Sequence, residues 1–467
     1  MAPISGTPEG HCLRLENWVG RTDGLHVRDG YTVVSSGLGS AVTALFVHKS
    51  QIFAATAMQV FNGSSALPGL NMAGGDWHAA LLPNPGGLFL VTANGGDGLR
   101  VFDGATWQTI TLDGIDTSTI VTLVVHQSRI FFAVRDSLTI YYLDVDCFAG
   151  TAQPVFLQPL VRKGGSVAAL TSRTQDGGRN TNDQLVIVTT EGEMVIWSGT
   201  DPSTSQTWTN AGVFNVPRPV GRRCFVEHGG GLAYLSANGL LPLNDVLSKP
   251  DPEKPLRALS EPIWPLLNPS LASGAWSIVE SIENEVTIIN GPSGQFVLSA
   301  TNAWSTFSGL NATCWLSVGG ALYFGTSDGQ VCRYGDGVYE DNGQPVSSYL
   351  VDRFDRIKTM GIKTVQAVRP LYTARHPYRP RVQMLANYRE APATFAARYT
   401  DGVNYQWEDI TWSRQPALWN RAVSSRQGAW RSCAAEGHEF ALMLGMKTRT
   451  PITYTGYDVQ FEAGGSM

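Results

Sequence analysis

Short apolar segments and polar turns alternate along most of the chain in one repeating unit. Each unit has a short apolar strand, a polar turn, a second strand that ends near an aromatic residue, and a turn rich in Gly or Asp. Copies of the unit begin at Gln51, Gly87, Arg129, Gln184, Gly231, Glu285 and Ala321. Short strands between regularly spaced turn signals predict an all-β chain.

The spacing of the copies indicates the architecture. From Ile52 to Leu322 the units recur on average every 45 residues, and a four-stranded propeller blade has about 40–50 residues. Each copy also follows another apolar segment, as in the near duplicates VTALFVHKS at Val42 and IVTLVVHQS at Ile120. Strands that are apolar on both faces are expected where blades stack around an axis. The pattern therefore predicts a β-propeller of six to seven blades over residues 42–345.

The flanking regions follow different patterns. Residues 1–41 predict an N-terminal segment in which GLHVRDGYTVV, from Gly24 to Val34, adds a strand that closes the ring. Residues 346–467 alternate apolar and polar positions around Pro377 and Pro380 and predict a small, β-sandwich-like domain.

Two stretches interrupt the repeat. TSRTQDGGRNTND, residues 171–183, is interpreted as an uncovered polar loop. Residues 244–274 are long, Pro-rich and partly helical in pattern. In an assembly such segments would serve for docking, and the alternative is decoration of a tolerant scaffold.

Composition separates the two predicted domains further. The chain has 467 residues, 50 of them Gly, only 16% charged residues and a net charge of −5, which argues against a disordered chain and a general nucleic-acid binder. Residues 346–467 carry 16 Lys and Arg against 10 Asp and Glu, whereas residues 1–345 carry 18 against 29. This asymmetry fits either two domains with different surfaces or complementary docking surfaces. A possible docking surface is predicted at Arg369, Arg375, Arg379 and Arg381.

Candidate chemistry is sparse. The sequence has no nucleophile-elbow, P-loop or zincin motif, and its six Cys have no zinc-ligand spacing. His48 and His126 occupy equivalent positions of the repeat, so we interpret them as structural turn residues. The pairs Asp113/Asp116 and Asp144/Asp146 lack a full calcium loop. We expect no enzyme activity, no cofactor, no signal peptide and no membrane span.

The N-terminal stretch LRLENWVGRTDGLHVRDGY resembles the start of a family of short-tailed bacteriophage tail proteins, described as tail nozzles, tail hubs or packaged-DNA-stabilisation proteins. The matching residues are Leu15, Asn17, Trp18, Gly24, Leu25, Arg28, Gly30 and Tyr31. The end of the chain is similar as well, and the residues that carry this similarity are Trp407, Trp412, Trp419, Gly428 and, within the terminal FEAGG, Gly464.

The resemblance implies a structural virion component of the tail, assembled in the cytoplasm of a bacterial host. It implies a homo-oligomeric ring, expected to be a hexamer, that extends the DNA channel below the portal and adaptor, retains packaged DNA and supports its ejection. The implied partners are further copies of the chain, the adaptor and portal proteins, a tail fibre or tailspike, and genomic double-stranded DNA passing without sequence-specific binding. Trp18 is expected to be an anchor, and Arg28 a turn-fixing or interfacial partner.

Two other functions remain open from the sequence. Segments such as ANGGDGLRVFDGATW resemble the Asp-box of sialidases, and the late tryptophans suit either a sugar platform or core anchors. The first alternative is therefore a carbohydrate-binding or carbohydrate-cleaving propeller tail protein. The second is a cellular propeller scaffold.

Overall fold

β-Strands dominate the molecule. The computed structural model describes residues 11–71, 76–176, 181–248, 258–271, 276–358, 360–375, 378–395 and 425–464. Within these ranges the chain forms forty strands, two short α-helices and a few short 3₁₀ turns, which confirms the predicted all-β fold.

Seven groups of antiparallel strands, counted over the described residues, surround one axis as the blades of a propeller. Blades 1 to 5 are separate sheets, whereas blades 6 and 7 are joined into one larger sheet with strands of the N-terminal segment and the C-terminal region. Blade 1 has β5 (Val42–His48), β6 (Gln51–Thr56), β7 (Gln59–Asn62) and β8 (Ser65–Asn71); blade 2 has β9 (His78–Asn84), β10 (Gly87–Ala93), β11 (Leu99–Phe102) and β12 (Trp107–Ile110); blade 3 has β14 (Ile120–His126), β15 (Arg129–Val134), β16 (Thr139–Tyr142) and β18 (Gln153–Phe156); blade 4 has β19 (Val167–Asp176), β20 (Thr181–Thr189), β21 (Glu193–Gly199) and β22 (Trp208–Asn215); blade 5 has β23 (Phe225–His228), β24 (Gly231–Ser236) and β25 (Gly239–Pro242); blade 6 has β26 (Ser277–Ser281), β27 (Val286–Gly291), β28 (Gly294–Ser299) and β29 (Trp304–Phe307); blade 7 has β30 (Ala312–Val318), β31 (Ala321–Thr326), β32 (Val331–Tyr334) and, from the N-terminal segment, β4 (Tyr31–Ser35).

The second strand of every blade coincides with one copy of the sequence repeat. These strands are apolar on both faces because each face packs against a different neighbouring blade. In β15, Phe131 belongs to the cluster shared with blade 4, and the adjacent Phe132 belongs to the cluster shared with blade 2. Both side chains are fully buried, as expected for strands whose side chains alternate between two dry interfaces.

The N-terminal segment supplies the outer strand of the last blade. Val33 pairs with Cys332 and Tyr31 with Tyr334 in antiparallel register. Blade 7 then packs against blade 1 through a cluster that includes Leu38 and Val42. The ring is therefore closed by two ends of the propeller sequence that lie about three hundred residues apart, which leaves no open sheet edge at the seam.

The two irregular stretches take different forms. Within the stretch interpreted above as a loop, residues 171–176 and 181–183 instead belong to β19 and β20, which pair as far as Asp176 and Thr181. That interpretation was wrong because paired strands satisfy backbone hydrogen bonds whatever the polarity of their side chains. The second stretch contains α1 (Leu243–Ser248) and α2 (Trp264–Leu271), which pack Val246 and Leu267 on the core beside blade 5.

The C-terminal region is a sandwich of two sheets that also takes up the first three strands of the chain. One sheet has the order β1 (Cys12–Glu16), β34 (Gln344–Asp352), β39 (Phe440–Thr448) and β36 (Arg381–Ala386); the other has the order β2 (Trp18–Arg21), β3 (Gly24–Val27), β40 (Ile452–Ala463) and β35 (Lys363–Ala374), with β37 (Ser425–Gln427) and β38 (Arg431–Gly437) both paired to β35. Leu350 and Leu444 of the first sheet meet Val368 and Tyr454 of the second in the core.

Short elements complete the connections. β13 (Leu112–Asp113) and β17 (Gly150–Thr151) pair in parallel between blades 2 and 3. β33 (Glu340–Asp341) lies between blade 7 and the sandwich, where it pairs with both β34 and β4. The 3₁₀ turns are Thr117–Thr119 and Glu261–Ile263.

Candidate functional sites at the domain joint and the propeller axis

The N-terminal hairpin of β2 and β3 is shared between the two domains. Trp18 is fully buried in the sandwich core, where its ring lies 6.2 Å from that of Tyr454. The next residue, Val19, is buried in the cluster between blades 6 and 7. Successive side chains of a strand point to opposite faces, so this one strand inserts an anchor into each domain. Trp18 thus lies where the sequence predicted an anchor.

Arg28 lies at the centre of a buried polar network at this joint. Its side chain is 1% exposed, and Nη1 and Nη2 donate to the two carboxylate oxygens of Asp341 at 2.8 and 2.7 Å. Nε donates to Asn17 Oδ1 at 2.8 Å, and the remaining N–H groups reach the carbonyl oxygens of Asp29 and Ser308. All five guanidinium donors are satisfied, as a buried arginine requires.

Asn17 connects this network to both domains. Its amide nitrogen donates to Ser308 Oγ at 2.9 Å, beside blade 6, and to the carbonyl oxygen of Ser347 at 2.8 Å, in the sandwich. Asn17 Oδ1 accepts from the backbone N–H of Ser308 as well as from Arg28. Its φ of 59° is left-handed, a conformation that Asn tolerates better than most residues. The side chain and the backbone turn together fix the chain where it passes from one domain to the other.

Gly30 and Tyr31 continue from the joint into the propeller. A Cβ at Gly30 would lie 2.1 Å from the carbonyl oxygen of Glu340, so only glycine allows this approach of the two backbones. Tyr31 follows as the first residue of the closing strand, and its ring meets Phe324 edge-on at 5.2 Å. Gly24, in the hairpin, has a φ of 145° and equally little room, because its Cβ would lie 2.5 Å from Tyr454 O.

The other residues of the resemblance lie in the sandwich or outside the described ranges. Leu15 is buried in the sandwich core. The backbone N–H of Gly464 donates to Ile362 O at 2.8 Å. Trp407, Trp412 and Trp419 lie outside the described residues.

The four arginines of the predicted docking surface have different surroundings. Arg369, on β35, donates from Nε to Asp458 Oδ2 at 2.9 Å and lies over Trp430, 5.2 Å from the ring centroid. Arg381, on the other sheet of the sandwich, lies 4.3 Å from the ring centroid of Phe395. Arg375 and Arg379 are exposed. The arginines on β35 and β36 therefore contact groups of their own domain, and the two loop arginines face solvent.

A second polar cluster crosses the propeller axis. Arg223, which precedes blade 5, donates from Nη2 to Asp76 Oδ1 at 2.8 Å and also to the carbonyl oxygen of Trp77, before blade 2. Its neighbour Arg222 donates to Val121 O of blade 3 at 3.3 Å. Blades 2 and 5 are separated by two blades on one side of the ring and three on the other, so these contacts join nearly opposite sides. The sequence had given no sign of this cluster, because its two parts, around Asp76 and Arg223, lie 147 residues apart.

Burial and neighbouring charges shift the pKa values of Asp76 and His78 in this cluster. Burial acts to raise the pKa of the Asp76 carboxyl, but the His78 imidazole and the Arg223 charge outweigh it and lower the pKa to about 2. Burial lowers the pKa of His78, whose Nε2 lies 3.6 Å from Asp76 Oδ2, beyond hydrogen-bond distance. Arg223, whose Nη2 donates to Asp76 Oδ1 at 2.8 Å, is the cation in direct contact with this carboxylate.

The repeated histidines link neighbouring blades. His48 is 1% exposed, and its Nε2 donates to Leu88 O of blade 2 at 2.8 Å. His126 is 2% exposed, and its Nδ1 lies 2.8 Å from Ser172 Oγ of blade 4. Over the described residues, no group of three or more His, Cys, Asp or Glu side chains is arranged to hold a metal ion. No helix in that part of the chain has both the length and the apolar character needed to span a bilayer.

Several solved structures are similar to this chain at 10–11% sequence identity. No protein-family model matches the chain, and no curated protein matches it. Similar solved structures are β-propeller proteins. They include BBS1N in complex with ARL6DN (10% identity, 66% of this chain and 98% of that chain, TM-score 0.42) and Sqt1 of Saccharomyces cerevisiae (11%, 66% and 98%, TM-score 0.42). YCF48 from Cyanidioschyzon merolae is a third (10%, 65% and 98%, TM-score 0.39).

Proposed function

We propose that this protein is a structural subunit of a short-tailed bacteriophage tail, in the nozzle position below the portal and adaptor. The observation that carries the proposal is the domain joint, because Asn17, Arg28 and Gly30 of the N-terminal resemblance are the residues that fix the sandwich to the propeller. These contacts would hold the two domains of a DNA-retaining subunit in one orientation. A closed propeller also offers no free sheet edge for uncontrolled association.

In this proposal the DNA channel forms between subunits of a homo-oligomeric ring, expected to be a hexamer. The axis of each propeller is not the channel, since the contacts of Arg223 with Asp76 and Trp77 cross it. The propeller sequence is acidic, which suits a wall along which DNA slides without binding, because tight phosphate binding needs clustered Lys and Arg.

The exposed Arg375 and Arg379 are the proposed contacts with partner proteins, namely the adaptor or portal and a tail fibre or tailspike. Their loop is in the basic sandwich domain, and Arg379 faces solvent at the rim of a small pocket with Tyr372 and Arg431. Electrostatic complementarity at such a rim would act mainly on the association rate and on the choice of partner.

Electron cryo-microscopy of intact particles tests the proposal. We expect density for this chain in a ring around the channel axis, directly below the adaptor. Charge reversal Arg379→Glu should reduce incorporation into particles, whereas Arg389→Glu, an exposed arginine elsewhere in the same domain, should not. Density away from the axis would overturn the nozzle assignment. So would absence of the chain from particles together with saturable glycan binding or glycan cleavage by the purified protein.

A further inference from the structure

The described residues leave a cavity of about 520 Å³ at the propeller axis, between the first strands of blades 1, 2, 6 and 7. Its walls are mainly aromatic and aliphatic and include Phe46, Trp77, Leu90, Val279 and Trp315. Small-molecule sites typically occupy about 300–1,000 Å³ and combine apolar walls with a few polar groups. This cavity has that size and that lining.

Three of the side chains that line the cavity, those of Trp77, His78 and Arg223, carry hydrogen-bond donors. Trp77 is 2% exposed, and its indole Nε1 has no hydrogen-bond partner among the described residues. His78 Nε2 likewise lacks one there. Arg223 lines the same cavity where its guanidinium contacts Trp77 O. A buried donor without a partner is costly in a folded protein, so Trp77 Nε1 indicates a position where an acceptor atom would be stabilised.

The charges near that position favour an anion. Arg222 and Arg223 lie beside Asp76, and the charges of Arg135 and Asp136 also act on Arg222. Among the described residues that line the cavity, Arg223 carries a positive charge and none is an Asp or Glu. A cation would be repelled by Arg223, whereas a carboxylate would accept hydrogen bonds from the donors and offset its charge.

We propose that the axial cavity binds a small apolar carboxylate. Its ring or alkyl body lies among Phe46, Trp77 and Trp315, and its carboxylate lies toward Arg223 and the Trp77 indole N–H. The site is separate from the domain joint, and the proposal does not depend on the nozzle assignment.

Isothermal titration calorimetry, in which phenylacetate is added to the full chain, tests the site. 2-Phenylethylamine is the matched probe, because it carries a similar aromatic body with a positive charge. We expect saturable one-site binding of phenylacetate and at least about tenfold weaker binding of the amine. Absence of saturable phenylacetate binding, or equal binding of both probes, would overturn the proposal.

The variant Trp77→Phe tests the position of the site, since it keeps an aromatic ring and removes the N–H. We expect it to weaken phenylacetate binding by about tenfold. Trp107→Phe is the control, because Trp107 also has an unpaired Nε1 in blade 2 but is not part of the cavity lining. Equal weakening in both variants would contradict the assignment, and if Trp77→Phe fails to fold, the two-probe comparison on the unaltered chain decides.

Discussion

Arg28 and Asp341 form a two-point ion pair at the joint between the propeller and the sandwich, with N–O distances of 2.8 and 2.7 Å. The side chain of Arg28 is 1% exposed and that of Asp341 is 16% exposed. The pair connects the N-terminal segment to β33, the strand that leads from blade 7 into the sandwich. A buried pair of this kind contributes little net stability by itself but makes the loss of either partner costly.

We therefore expect Arg28→Gln to lower the free energy of unfolding by about 3–5 kcal/mol, because it leaves the Asp341 carboxylate uncompensated. Urea unfolding followed by circular dichroism measures the change. Arg333→Gln is the control, since the Arg333–Asp336 pair has side chains 39% and 58% exposed, and its loss should cost less than about 1 kcal/mol. Similar losses in both variants would contradict the role given to Arg28.

The close approach at Gly30 makes a second prediction. Gly30→Ala places a Cβ 2.1 Å from Glu340 O, so the closing strand or β33 must shift. We expect a loss of more than about 2 kcal/mol, at the upper end of ordinary point mutations. Gly37→Ala is matched to it, because Gly37 has a φ of 79° and open space around it. Only the backbone cost of about 1–2 kcal/mol applies there, and a Gly30 variant as stable as the Gly37 variant would refute the steric argument.

Truncation of the buried Trp18 should destabilise the protein more than truncation of an exposed tryptophan in the same domain. Trp18→Ala empties a fully buried position, and we expect the free energy of unfolding to fall by about 3–5 kcal/mol. Trp430→Ala removes a side chain that is 47% exposed and lies over Arg369, so about 1 kcal/mol or less is expected. Differential scanning calorimetry of both variants compares the effects, and an equal loss would show that Trp18 does not anchor the domain.

The axial ion pair predicts a dependence of stability on acid pH. The pKa of Asp76 is lowered from 3.8 to about 2 in the folded protein. Its contribution is therefore complete above about pH 4 and is lost as the pH falls through about 2. Urea unfolding from pH 5 to pH 2 should show the stability difference between the unaltered chain and Asp76→Asn shrinking across this window. A difference that stays constant with pH would contradict the ionised state assigned to Asp76.

Local patterns along the chain were enough to predict the blades. Each second strand, such as Arg129–Val134, is apolar on both faces, and its length and flanking turns identify it without knowledge of any partner. The same patterns misassigned residues 171–176 and 181–183, because paired strands need no apolar side chains to satisfy their backbone hydrogen bonds.

The path of the N-terminal segment could not be predicted from local sequence patterns. The stretch Gly24–Val34 was predicted to act as one closing strand, but the structure divides it. Gly24–Val27 pairs within the sandwich, and Tyr31–Ser35 closes blade 7. The bend between them is fixed by the contact of Arg28 with Asp341 and by the close approach of Gly30 to Glu340. Asp341 and Glu340 lie more than three hundred residues after Arg28 and Gly30 in the sequence.

The sequence by itself determined strand positions, blade spacing and the change to a second β domain, because hydrophobic periodicity and turn residues act over a few neighbours. Only the tertiary structure decided which distant segments meet. Closing the ring brings Arg223 to Asp76 across the axis and Arg28 to Asp341 at the joint. Such pairs depend on the geometry of the closed ring, because their members lie 147 and 313 residues apart in the sequence.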